Sequence, residues 1–321
     1  MSRLRFVLVA CLCLATTPLS AEDQFLEVRG WLERMGESMR EGDYQGTFIY
    51  VRGDDVETIH LTHALVDGVL KERLVAVSGP RREILRSGDQ VSRSVNDAET
   101  VETETAWTGA VFPEFSLDML DRARDRYVFE LAGEDRIAGH EGQKIIITPR
   151  DGYRYGYELW LESQSALLLR WVLYDSNRRA LAKLMFTDLT TGEGVDKSRL
   201  QGDGDTRLVA VSVSSPTLDS TDGVQELVKG LSLPPGFELA AHSRDPERPE
   251  DRHLVFSDGL ASVSVYLDQS DLDRLPDGLL RMGTTNAWSK RNSRQRVTAM
   301  GEVPPATLKR FGIAFLRVSM D

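Results

Sequence analysis

The chain has 321 residues, with 39 Lys and Arg against 50 Asp and Glu and a net charge of −11. A chain this long is expected to hold two folding units, and one this acidic lacks the basic footprint of a general nucleic-acid binder. Both cysteines, Cys11 and Cys13, fall in the first stretch, so the remainder has no disulfide, thiolate nucleophile or cysteine metal site.

Residues 1–21 read as an export signal: Ser2 to Arg5 is a basic start, Phe6 to Ala15 an apolar run, and Leu19-Ser20-Ala21 a cleavage site. The run is too short to cross a bilayer, so no stable membrane span is expected. Leu8-Val9-Ala10-Cys11 also fits a lipoprotein signal with a shorter apolar core. Removal of residues 1–21 takes away Arg3 and Arg5 but no acid, leaving an exported chain that is more acidic still.

Phe25, Val28, Trp31, Leu32, Met35 and Met39 recur at helical spacing and predict an amphipathic helix over 23–41, with Gly42 as a left-handed stop. Strands follow at Gln45–Arg52, Ile59–Val66, Val69–Val77 and Glu83–Val95, the last interrupted by the Gly88-Asp89 turn. Residues 96–106 are acidic and read as a surface loop. Ser116 caps a short helix to Ala123, with Phe112 and Phe115 at its start. Tyr127–Leu131, Arg136–Ala138 and Gln143–Thr148 resume the strands. Arg150–Asp175 then forms an antiparallel pair: Tyr153, Tyr155, Tyr157, Leu159 and Leu161 share one face of the first strand, and Leu167, Leu169, Trp171 and Leu173 one face of the second. Leu181–Leu189 completes the series.

From Thr191 to Asp222 the apolar period is lost, although Leu208–Val213 could still pair as an edge strand. The boundaries expected are 22–198 for a large unit, 199–222 for a linker and 223–321 for a small one. In the small unit Phe237–Ala241, His253–Ser257, Leu260–Leu267 and Arg296–Glu302 read as strands and Pro305–Arg310 as a helix. The class is α+β: a large half-open antiparallel β-barrel covered by helices, followed by a smaller α+β unit.

Few residues point to chemistry. His60 and His63, three apart on a strand, face opposite sides and make a poor metal pair. Asp203-Gly204-Asp205 lacks the ligand series of a calcium loop, and no nucleophile elbow is present. No catalytic residue, metal or cofactor is expected. Arg81 and Arg82 form either a solvated hairpin tip or a guanidinium pair for carboxylates or lipid phosphates. Tyr153, Tyr155, Tyr157 and Trp171 are either plain core or the lining of an acyl cavity. Lys290, Arg291, Arg294 and Arg296 are either an exposed loop and strand face or a patch that steers an acidic peptide or anionic lipid.

Arg150–Asp175, taken with Gly79-Pro80-Arg81-Arg82-Glu83, Leu233-Pro234-Pro235-Gly236-Phe237, Ser257-Asp258-Gly259-Leu260 and Gly301-Glu302-Val303-Pro304-Pro305, resembles the MucB/RseB family of periplasmic sigma-E regulators in order and spacing. The resemblance runs from about Tyr44 to Arg310. It implies a lipoprotein-carrier-like (LolA/LolB-like) large domain and a partner, the periplasmic segment of a transmembrane anti-sigma factor. It further implies that this segment is shielded from the site-1 protease and that lipopolysaccharide or an acylated lipid releases it. Two other readings are a periplasmic lipid or lipoprotein carrier and a hydrolase of unknown type.

Overall fold

The computed structural model describes residues 20–79, 82–94, 112–113, 115–202, 208–211, 224, 228–244, 248, 250–269 and 276–318. The export signal up to residue 19, Arg81, the acidic stretch 96–106 and Asp203-Gly204-Asp205 therefore lie outside the described residues.

The first helix, α1 (Ala21–Glu41), is fixed at its start by a capping box in which Ser20 and Asp23 bond each other's backbone amide and side chain. Phe25, Val28, Leu32 and Met35 form its buried stripe. Its end differs from the expected left-handed stop. Gly42 is extended, at φ −74, and glycine is needed there because a Cβ would stand 2.5 Å from the Ser38 carbonyl oxygen.

The large sheet contains β1 (Tyr44–Arg52), β2 (Asp55–Val66), β3 (Val69–Ala76), β4 (Glu83–Ser87), β5 (Gln90–Ser94), β6 (Tyr127–Ile137), β7 (His140–Pro149), β8 (Gly156–Glu162), β9 (Leu168–Tyr174), β10 (Ala180–Thr191) and β11 (Leu208–Val211). The spatial order is β11-β5-β4-β3-β2-β1-β10-β9-β8-β7-β6, antiparallel throughout and open between β11 and β6. This is the half-open sheet expected from the sequence. Its meander is broken only where β1 sits between β2 and β10 and where β11 returns to pair with β5.

Helix α1 and the short α2 (Leu117–Ala123) cover one face of this sheet. There Phe48, Ile59, Leu61, Leu159, Leu161, Leu184 and Phe186 join the helical stripe in one core, each side chain being at most 1 % exposed. Each such burial is worth roughly 1.5–3 kcal/mol.

Two strand expectations are corrected. β6 is continuous, because a register shift between Leu131 and Glu134 absorbs the polar interruption. In β9 a second irregularity, between Trp160 and Leu161 of the partner strand, turns Leu169 away from the Trp171 face. Leu169 joins Ile137, Trp160 and Val172 in a separate apolar cluster.

The second sheet runs β12-β13-β14-β17-β16-β15, comprising β12 (Glu238–Arg244), β13 (Arg252–Ser257), β14 (Ser262–Asp268), β15 (Gly278–Met282), β16 (Thr285–Arg291) and β17 (Arg296–Gly301). Helix α3 (Pro305–Val318) packs across one face. It is longer than expected because Leu308, Phe311 and Phe315 carry the buried stripe past Arg310; Phe311 meets Phe237 and Phe256 edge-on or tilted.

Candidate functional site

The junction between the two sheets is built by turns far apart in the chain. Asp151 to Tyr155 precede β8 instead of belonging to it, and the backbone amide of Tyr153 donates to Asp151 Oδ1 at 2.9 Å. This turn directs Arg154 inward, where it is 1 % exposed. Its Nη1 donates to Asp151 Oδ2, its Nε to Asp258 Oδ2 and its Nη2 to the Pro235 carbonyl. The guanidinium also lies 5.0 Å from the Phe237 ring centroid.

Asp258 is sealed on all sides. Its Oδ1 accepts from the amides of Leu260 and Ala261 at 2.9 and 2.7 Å, and its Oδ2 from the Tyr127 hydroxyl at 3.2 Å. Burial, with Asp258 alongside, pushes the Tyr127 phenol well above its usual range, so it stays a neutral donor. The next residue, Gly259, has φ +109, and a Cβ there would meet the Met119 carbonyl oxygen at 2.2 Å; the turn is pressed against α2.

Helix α3 makes a second set of contacts. Thr307 Oγ1 donates to the Tyr153 carbonyl at 2.8 Å and Arg310 to the Tyr153 hydroxyl. Asn286 Nδ2 donates to the Tyr155 hydroxyl at 3.1 Å and to the Val303 carbonyl at 2.9 Å. Four of the five motif stretches, those around Arg154, Pro235, Asp258 and Val303, thus converge on one interface.

Beside it opens a cleft of about 320 Å³, lined by Tyr157 of the large sheet and by Leu260, Ser262, Ser264, Tyr266, Thr285, Met300 and Glu302 among others of the small one. The lining mixes hydroxyls and a carboxylate with apolar atoms, which suits a peptide better than an acyl chain.

The aromatic face expected to line a lipid cavity is divided. Tyr153 and Tyr155 belong to the junction because the turn before β8 carries them off the sheet. Tyr157 reaches the cleft and meets Phe115 edge-on at 5.8 Å. Trp171 packs within the large core against Tyr50 at 6.1 Å.

The cationic candidates divide likewise. Arg82 donates from Nη2 to Glu57 Oε1 at 2.9 Å, and neighbouring Glu83, fully buried, takes Arg73 Nε at 2.6 Å, while Arg81 lies outside the described residues. Lys290 and Arg294 are exposed and Arg291 half-buried. Arg296 does not share their surface: it is 8 % exposed and donates to Asp277 Oδ1 and Ser289 Oγ at 2.8 and 3.0 Å. It begins β17, where alternation turns it onto the sheet. His60 and His63 diverge as expected: His60 meets Thr47 and Arg199, whereas His63 stacks on Tyr44 at 4.4 Å beneath α1.

Sequence reasoning singled out neither Arg154 nor Asp258, since strand alternation followed the tyrosines on either side of Arg154 and Asp258 entered only as part of a motif stretch. The available signal was an arginine between two tyrosines and an aspartate before glycine, both within motif stretches.

Two antiparallel sheets, the larger of them open, are thus joined at an interface built around a buried ion pair. Family models for the MucB/RseB N-terminal domain and the MucB/RseB C-terminal domain match residues 27–203 and 229–314. The chain belongs to the MucB/RseB family. It is 30 % identical over 301 residues to the sigma factor AlgU regulatory protein MucB of Pseudomonas aeruginosa, covering 91 % of each chain. It is 26 % identical to the sigma-E factor regulatory protein RseB of Escherichia coli strain K12 over 285 residues, 87 % of each. Among solved structures it resembles the Pseudomonas aeruginosa MucA/MucB complex, with TM-score 0.65, 29 % identity and coverage of 88 % of this chain and 96 % of the other. A structure of MucB in complex with MucA(peri) matches with TM-score 0.65 and 28 % identity, covering 89 % and 97 %. Among the described residues no helix is long and apolar enough to cross a membrane.

Proposed function

We propose that this chain is an exported, periplasmic regulator that binds the periplasmic segment of a membrane-anchored anti-sigma factor and holds an envelope-stress sigma factor inactive. The supporting observation is that its likeness to MucB in complex with MucA spans both units, so the junction and cleft fall within the matched region. Bound segment is shielded from the site-1 protease because a chain held against the junction cannot enter a protease cleft.

An acylated lipid, including lipopolysaccharide, releases the segment by binding elsewhere, among the apolar side chains of the large unit near Phe48, Phe112 and Phe186, whose rings pack at 5.5–6.3 Å. Release requires the lipid to favour a different arrangement of the two units, since a ligand with equal affinity for both shifts nothing. Reciprocity then demands that the segment weaken lipid binding by the same factor.

The test is titration of the exported chain with the purified periplasmic segment, with and without acylated lipid, alongside cleavage of that segment by its protease. Expected are saturable binding, protection from cleavage, and loss of both on adding lipid. Cleavage at the same rate with and without the chain rules out the regulatory reading, and unchanged segment affinity at saturating lipid rules out release by lipid.

A further inference from the structure

The small sheet ends on a strand with an unusual surface. Among the described residues β15 (Gly278–Met282) is last in the strand order and pairs only with β16, and all five of its residues are exposed. Three of them are large and apolar: Leu279, Leu280 and Met282 are 55, 37 and 44 % exposed. Other exposed large apolar residues among those described, such as Leu26, Val56 and Val77, stand singly on other elements. An edge strand normally avoids this composition, because its outward amides and carbonyls already invite another chain and apolar side chains strengthen the invitation.

Alternation divides the strand into two stripes. Leu279 and Arg281, register partners of Trp288 and Asn286, lie on the α3 face; Leu280 and Met282 lie on the other. Arg281 is exposed and stands beside the Tyr155 hydroxyl, so the edge is continuous with the junction. Exposed Lys290 and Arg294 are carried by β16 and the turn that follows it. Cations on this rim of a chain of net charge −11 complement an acidic occupant. A second copy of the chain would bring the same strongly negative charge.

We propose that β15 is the docking edge for an extended acidic segment of the partner, which adds to the small sheet as a further strand. Backbone pairing supplies affinity, apolar residues of the segment cover Leu280 and Met282, and a carboxylate meets Arg281. This rests on the regulatory reading and names where the partner lies.

The experiment is amide hydrogen exchange on the full exported chain, with and without the purified periplasmic segment of the anti-sigma factor from the same organism. Amides facing outward within 278–282 are expected to slow by about tenfold or more at saturation. The double variant Leu280→Glu with Met282→Glu, whose melting should match the wild type because both sites are on the surface, is expected to bind at least about tenfold more weakly. Binding with unchanged exchange at 278–282, or full affinity in the double variant, overturns the edge site while leaving the regulatory reading intact. No binding at all overturns both. Protection that grows with protein concentration in the absence of the segment identifies self-pairing and overturns the assignment to a partner.

Discussion

Arg154 and Asp258 stand 104 residues apart, in turns that flank strands of different sheets, and meet as an ion pair whose two side chains are each 0 % exposed. Burying two charges is costly unless geometry is good and every remaining donor is used. Both conditions hold, since the guanidinium and the carboxylate each have several partners.

Removal of one partner should therefore be severe. Asp258→Ala leaves the buried Arg154 with Asp151 as its remaining carboxylate and strips the Leu260 and Ala261 amides of their acceptor, and is expected to cost about 3–5 kcal/mol, whereas Arg154→Met combined with Asp258→Leu, which removes both charges of the pair, should recover part of it. Thermal denaturation of the two variants checks this; an Asp258→Ala protein melting with the wild type would show the pair to be dispensable.

Two histidines contribute to the loss of stability in mild acid. Burial, reinforced by the Arg199 guanidinium, pushes His60 below its usual range, and burial alone does the same to His253. Both rings stay neutral in the folded chain at pH values where the unfolded chain, near 6.5, has begun to take up protons. Their contribution is complete above about pH 6.5 and lost as pH falls through the lower native values. Denaturant melts at pH 7.5 and 5.5 should show this loss, and His60→Gln should flatten it.

The basic residues near β16 should separate by burial. Lys290→Glu, at an exposed site, is expected to change stability by no more than about 0.5 kcal/mol. Arg296→Glu places a buried carboxylate beside Asp277 and is expected to destabilise by several times that amount. Parallel urea titrations distinguish them, and equal midpoints would contradict the burial of Arg296.

Limited proteolysis examines the proposed boundary. Cutting is expected first between Thr191 and Asp222, where the sequence loses its apolar period and the linker is expected. Because the junction persists after a nick, the two fragments should travel together on gel filtration and part only under denaturing conditions. In Asp258→Ala they should part more readily. Fragments that separate without denaturant would mean that the junction is weaker than its contacts indicate.

Alternation and helical spacing were enough to place α1 and most strands of the large sheet, because one face of each is sealed by the core and the other is not. Tyr153 and Tyr155 show where that logic stops. Their spacing continues the strand pattern, but the Asp151 turn carries them off the sheet, and a period of two cannot distinguish a strand from a turn whose aromatics are buried elsewhere. β15 was illegible for the opposite reason: Gly278-Leu279-Leu280-Arg281-Met282 has no polar face to alternate with. The grouping of the motif stretches at one interface could not be read either, since it depends on contacts between residues up to 157 positions apart.

The placement of β1 sets the tempo at which this chain can assemble. Its neighbours are β2, joined through a short hairpin, and β10, whose Thr187 side chain bonds the Thr47 carbonyl from 140 residues away. During synthesis and export the first five strands can form local hairpins, yet one flank of β1 stays unpaired until β10 arrives. Closing so long a loop makes the step slow, and an open apolar strand edge is what draws chains into aggregates while they wait. Refolding at micromolar concentration should therefore be slow and increasingly lossy as protein concentration rises, the yield being decided by the race between β10 and a neighbouring molecule for the same edge.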